Sequence, residues 1–117
     1  MKSILIAGVS KEIASTLSAS LSCKYKIYIC SDRCAFPSVL KDLRPDALII
    51  YAPFISIDGL RRLLANGYTP PVLVVLTNIL TDQFLLSAQK IGAGCVFRIP
   101  FSSRALVSRL CDLLDKQ

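Results

Sequence analysis

Reactive groups are few in this 117-residue chain, and their types limit the chemistry open to it. There is no histidine, so the side chain that titrates near neutral pH is missing. Five cysteines (Cys23, Cys30, Cys34, Cys95, Cys111) include no Cys-x-x-Cys pair, and without histidine a zinc site would be hard to assemble. Their odd number, in a chain expected to be cytoplasmic, suits reduced thiols that serve as small buried hydrophobes. The alternative is a redox sensor. Cys30 and Cys34 are its candidates, because they flank a loop beside Arg33, a cation that could lower a thiol pKa. Tyr51 ends an apolar run, Ala47-Leu48-Ile49-Ile50-Tyr51. A phenol is a poor nucleophile at neutral pH. Ser10 and Lys11 open a helix, which leaves an anion or small-ligand site there as a further reading. No glycine-rich loop accompanies it to cradle a phosphate.

These residues need a scaffold, and the composition supplies one. Apolar residues make up 53% of the chain, which argues against disorder. The length suits a single domain over residues 1–117 with one buried core. The formal net charge is +6, from 14 Lys and Arg against 8 Asp and Glu. The cations are scattered, however, and only Arg61 and Arg62 among them are adjacent, so no nucleic-acid-binding stripe is expected. The run Ile4 to Val9 is short and is followed at once by Lys11 and Glu12, unlike a secretory core. The stretch Ala47 to Ile57 is broken by Pro53 and too short to cross a bilayer.

Strand and helix patterns alternate five times along the chain. Ser3–Ala7 predicts a strand covered on both faces. Ser10 predicts a cap for a helix whose Ile13, Leu17 and Leu21 share a face. Lys26–Cys30 reads as a strand nearer an edge, and Phe36–Leu43 as a short helix with Pro37 in its first turn. Ala47–Tyr51 is the third strand. Ser56 or Asp58 opens the next helix, which Asn66-Gly67 should stop through a left-handed residue. Val72–Leu76 predicts a buried fourth strand. Thr81 or Asp82 caps a helix through Lys90 that Gly92 stops. Cys95–Arg98 is the fifth strand, and Ser102 caps a helix with Leu106, Leu110, Leu113 and Leu114 inward. This pattern predicts an α/β fold with a doubly wound parallel sheet, flavodoxin-like (βα)5, in strand order 2-1-3-4-5.

In such a fold the functional residues gather at the carboxyl ends of the strands. There and beside them stand Ile4-Leu5-Ile6, Pro45-Asp46 before strand three, Asp58-Gly59 after Tyr51, Pro71-Val72 leading to Thr77, Gly92-Ala93, and Pro100-Phe101. In this order and spacing they resemble response-regulator receiver domains over nearly the whole chain. The resemblance implies a phosphorylation pocket, and that pocket is degenerate. Gly8 and Val9 stand where two acidic residues are expected, Tyr51 where the phosphoacceptor aspartate is expected, and Ile99 where a lysine is expected. Thr77 alone matches, and Val96 replaces the family's aromatic switch residue. Magnesium needs carboxylate oxygens and a phosphoryl acceptor needs a nucleophilic carboxylate, so neither is expected to act here.

The sequence therefore predicts an aspartate-less receiver-like module, not an enzyme and without a cofactor. It would act independently of phosphorylation through protein interaction or dimerisation, in signalling or transcription regulation. It would form the amino-terminal part of a larger regulator, whose attached output domain could bind DNA. By resemblance, the contact face is the one made by helix four, strand five and helix five. It carries Gln83, Leu86, Lys90, Arg98, Arg104, Val107, Ser108 and Arg109, a basic set suited to an acidic partner. Arg109 matches one basic position of the family's dimer contacts, whereas Gly94 and Cys95 replace the acidic ones. For the pocket, Tyr51, Val9 and Ile99 either fill the vacated space as core, or Tyr51 locks Thr77 by a hydrogen bond. A redox or small-ligand sensor using Cys30 and Cys34, or the Gly8–Tyr51 cleft, is the alternative function.

Overall fold

The computed structural model describes residues 2–116. Ten elements alternate along the chain: β1 (Ser3–Ala7), α1 (Lys11–Leu21), β2 (Lys26–Cys30), α2 (Phe36–Leu43), β3 (Ala47–Tyr51), α3 (Ile57–Ala65), β4 (Val72–Thr77), α4 (Asp82–Lys90), β5 (Cys95–Arg98) and α5 (Ser103–Asp115). The strands are all parallel, in the order β2-β1-β3-β4-β5. This is the flavodoxin-like arrangement that the sequence predicts.

Strand alternation divides the core between the two faces of the sheet. On one face Ile4, Ile6, Ile49, Val74 and Leu76 meet Leu17 and Leu21 of α1 and Leu106, Leu110 and Leu114 of α5. On the other, Leu5, Leu48, Ile50, Leu73 and Val75 meet Phe36 and Leu40 of α2 and Leu60 and Leu64 of α3. Phe84 of α4 packs against this second set. Each fully buried Leu or Ile contributes about 1.5–3 kcal/mol. The central strands β1, β3 and β4 are covered on both sides, which explains their unbroken apolar runs.

The helix starts follow from local chemistry. Ser10, Ser56, Thr81 and Ser102 each accept a hydrogen bond from the backbone N–H three residues on, at 3.0–3.3 Å. Such a cap contributes about 1 kcal/mol. Ser56, rather than Asp58, is the cap of α3. The base of the sheet is latched by Asp46, whose carboxylate accepts from the Ser3 N–H at 2.8 Å while its own N–H donates to Ser3 O at 2.9 Å.

Helix α3 ends at Asn66-Gly67 by a different device from the expected left-handed turn. Asn66 has φ −104°, and its side-chain amide donates to Arg62 O at 3.0 Å. Two other helices do end in left-handed residues: Arg44 closes α2 at φ 45°, and Gly92 follows α4 at φ 92°. The Arg44 guanidinium lies over the Tyr68 ring at 5.3 Å from its centroid.

Candidate functional site

Parallel pairing brings the carboxyl ends of β1, β3, β4 and β5 together at one rim of the sheet. The first position after β1 is Gly8, at φ 78°, a backbone that only glycine adopts without strain. A β-carbon there would overlap Cβ and Cγ of Phe54 and come within 2.8 Å of its Cδ1. Phe54, from the loop after β3, is itself held edge-on against Phe36, with ring centroids 5.7 Å apart. The space above Gly8 is thus filled by an aromatic ring.

Val9, Tyr51 and Ile99 all pack against the first core set, and Leu76 is a fully buried member of it. Each of the three is thus an apolar, partly buried side chain on the same side of the sheet near its carboxyl rim. In register, Tyr51 is paired with Leu76, and the Ala52 N–H donates to Leu76 O at 2.8 Å. Thr77 does not join them. It follows Leu73 and Val75 in the alternation and so faces the opposite side of the sheet from Tyr51. It is only 4% exposed, and its hydroxyl is satisfied locally. The Thr77 Oγ1 donates to Ile79 O at 3.0 Å and accepts from the Ile79 N–H at 3.1 Å. The expected Tyr51–Thr77 hydrogen bond is therefore not formed, because the two side chains leave the sheet in opposite directions.

Ile99 donates its N–H to Thr77 O at 2.8 Å and lines a 190 Å³ pocket with Glu12, Ile13, Thr16, Pro100, Phe101 and Ser103. Arg98 is exposed and registers with Thr77, so it points away from the face that Ile99 joins. Val96 packs with the second core set. At the Gly8–Tyr51 cleft of the alternative reading, Phe54 lies over Gly8 and Tyr51 packs on the first core set. A hard divalent cation needs several oxygen ligands. Gly8, Val9, Tyr51, Leu76 and Ile99 offer no carboxylate, and no cluster of three His, Cys, Asp or Glu suited to a metal occurs among the described residues. At the start of α1 the Ser10 hydroxyl is engaged as the cap, and Lys11 is exposed beside it.

The cysteines of the redox reading differ sharply in access. Cys30 is buried, with its thiol 3.4 Å from Asp32 O, whereas Cys34 is exposed and donates its backbone N–H to Asp32 Oδ1 at 2.9 Å. All five cysteines are free thiols. Burial pushes the Cys95 thiol pKa up, against the pull of the Arg109 guanidinium.

Of the expected contact face, Gln83, Leu86, Lys90, Arg98, Arg104, Ser108 and Arg109 are exposed and Val107 is half-buried. No helix among the described residues is long and apolar enough to cross a membrane.

Sequence comparison gives nothing: no protein-family model and no curated protein matches this chain. Solved structures do match. A response regulator from Thermotoga maritima superposes with a TM-score of 0.84 at 14% identity, covering 98% of each chain. The chemotaxis protein CheY4 of Vibrio cholerae gives 0.80 at 17% identity, over 97% of this chain and 98% of its own. A putative pilus assembly-related protein from Burkholderia pseudomallei gives 0.69 at 24% identity, over 98% and 90%.

The chain has the receiver-domain fold. Within that fold, two residues of the rim are not evident from the sequence. Phe54 owes its role to the return of the β3–α3 loop over β1, and Leu76 to a register between distant strands.

Proposed function

We propose that this chain is a receiver-like module that works in signalling or transcription regulation by binding protein, without accepting a phosphoryl group. The observation that carries this reading is the apolar group at the strand tips, where Val9, Tyr51, Leu76 and Ile99 close the first core set. Phosphoryl transfer depends on a nucleophile, a metal and a fixed cation around the transferred group. Side chains of these types supply none of them, and Phe54 fills the space over Gly8. An apolar plug also removes the repulsion that clustered carboxylates would bring, so the fold needs no magnesium to settle.

The working surface is then the outside of α4, β5 and α5. Lys90, Arg98, Arg104 and Arg109 are exposed there and make it basic, which favours an acidic protein surface or a complementary copy. The domain itself does not bind DNA or insert in a membrane, and any DNA contact belongs to an attached output domain.

The test is incubation with Mg²⁺ and beryllofluoride or acetyl phosphate, followed by amide chemical shifts and mass spectrometry. Unchanged mass and unchanged shifts at Tyr51, Leu76 and Ile99 are expected. Stoichiometric modification, or shifts centred on those residues, would sink the reading.

A further inference from the structure

Most of the apolar side chains of this molecule are packed inside, but four large ones are exposed: Ile29 on the edge strand β2, at 54%, and, clustered at and just before α4, Ile79, Leu80 and Leu86, at 70%, 43% and 59%. Leu86 lies in the middle of α4 and points directly away from the face that buries Phe84 and Ala88. Asp82, Leu86 and Lys90 follow at four-residue intervals and so form one row along the outside of the helix. The two charges lie about 6 Å to either side of the leucine along the axis. Neither is engaged: among the described residues the one ion pair is Arg61 with Asp58.

This row is complementary to itself when reversed. A two-fold axis through Leu86 turns Asp82 of one helix onto Lys90 of another and sets leucine against leucine. We infer that α4 is a self-docking ridge, on which a second copy of this chain packs antiparallel about Leu86 with two reciprocal Asp82–Lys90 pairs. This rests on the proposed phosphorylation-independent reading, since the pairing needs no switch to form. A closed two-fold contact uses the same patch on both copies. The arrangement also keeps Arg98, Arg104 and Arg109 out of the centre, where a basic patch facing its own copy would be repelled. Ile79 and Leu80, just before the helix, extend the apolar surface past its amino end. A nine-residue helix falls short of a standard interface of about 1,600 Å². The dimer is therefore reversible and needs high protein concentration.

Sedimentation equilibrium over a concentration series reads the association directly. Leu86→Glu, at an exposed site, leaves the fold intact by circular dichroism and weakens association by about tenfold or more. Asp82→Lys and Lys90→Asp each weaken self-association when alone. Mixed one to one they form a heterodimer, because the mixture restores both opposite-charge pairs. Asp82→Asn and Lys90→Gln serve as neutral controls should the reversed charges fray α4, and each weakens association in the same direction. A wild-type protein that stays monomeric throughout, a dimer indifferent to Leu86→Glu, or a mixture no tighter than its components would each overturn the ridge. None of these results touches the beryllofluoride test, so the two readings fail separately.

Discussion

Phe54 occupies the place that any side chain at Gly8 would have to take. A β-carbon on Gly8 would overlap the Phe54 Cβ and Cγ, and the Gly8 backbone is left-handed at φ 78°. Both constraints act on the same substitution. Gly8→Ala should lose about 1–2 kcal/mol to the left-handed backbone, and more as Phe54 is pushed off Phe36. A urea unfolding midpoint equal to wild type would contradict this packing. The same argument means that an acidic residue cannot simply be returned to position 8.

Tyr51 offers a sharper pair of variants. Its hydroxyl has no hydrogen-bond partner among the described residues, while its ring packs with the first core set. Tyr51→Phe should then change stability by less than about 0.5 kcal/mol. Tyr51→Asp places a carboxylate against the first core set, paired with Leu76, and should cost several kcal/mol, on the order expected for a poorly solvated charge without a partner. Added Mg²⁺ should not recover the loss, because Gly8 and Val9 bring no further ligand. Rescue of the Tyr51→Asp melting temperature by Mg²⁺ would show a latent metal site.

These contacts mark how far the sequence could be read. Helix caps and buried strands are local, and Ser10, Thr81, Ser102 and the runs of β1 and β4 were legible from neighbours alone. So was the apolar character of Gly8, Val9, Tyr51 and Ile99, because residue type does not depend on geometry. The position of Thr77 was not legible. Neighbouring residues of a strand face opposite sides, and which of Leu76 and Thr77 shares the face of Tyr51 depends on a pairing between segments that are distant in sequence. The end of α3 misled for a related reason. Asn66-Gly67 is compatible with a left-handed stop, yet the Asn66 side chain reaches back to Arg62 O and closes the helix without one.

Tyr25 gives the fold an alkaline limit. It is buried against the α1 and α5 leucines, and its pKa is pushed from 10.0 to about 12. Burial is the main cause, followed by the neighbouring Cys111 thiol and the charge of Asp115. The neutral phenol is favoured in the folded state, so this contribution is complete below about pH 10, where the unfolded phenol also keeps its proton. It is lost progressively as pH rises from there to about 12. Denaturant midpoints should fall over that interval, and Tyr25→Phe should flatten the fall. A Tyr25 tyrosinate signal appearing at the ordinary phenol pKa in the folded protein would contradict the assignment.

The thiols decide between a silent set of cysteines and a sensor. Cys23 and Cys34 are exposed, Cys95 and Cys111 are half-buried, and Cys30 is buried with its thiol directed at Asp32 O. Reaction needs both access and thiolate. Burial keeps the Cys95 thiol protonated despite Arg109, so Cys95 should be slow even where reagent reaches it. A thiol reagent at neutral pH should therefore label Cys23 and Cys34 first, with Cys30 following only as the fold opens. Mass spectrometry of the partially labelled protein gives the order. Under mild oxidant, Cys34→Ser should leave the oligomeric state and the circular dichroism unchanged. If Cys30 labels as fast as Cys34, or if oxidation joins the two and shifts the spectrum, the loop between β2 and α2 is mobile enough to bring a buried thiol out. The sensor function would then displace the silent reading.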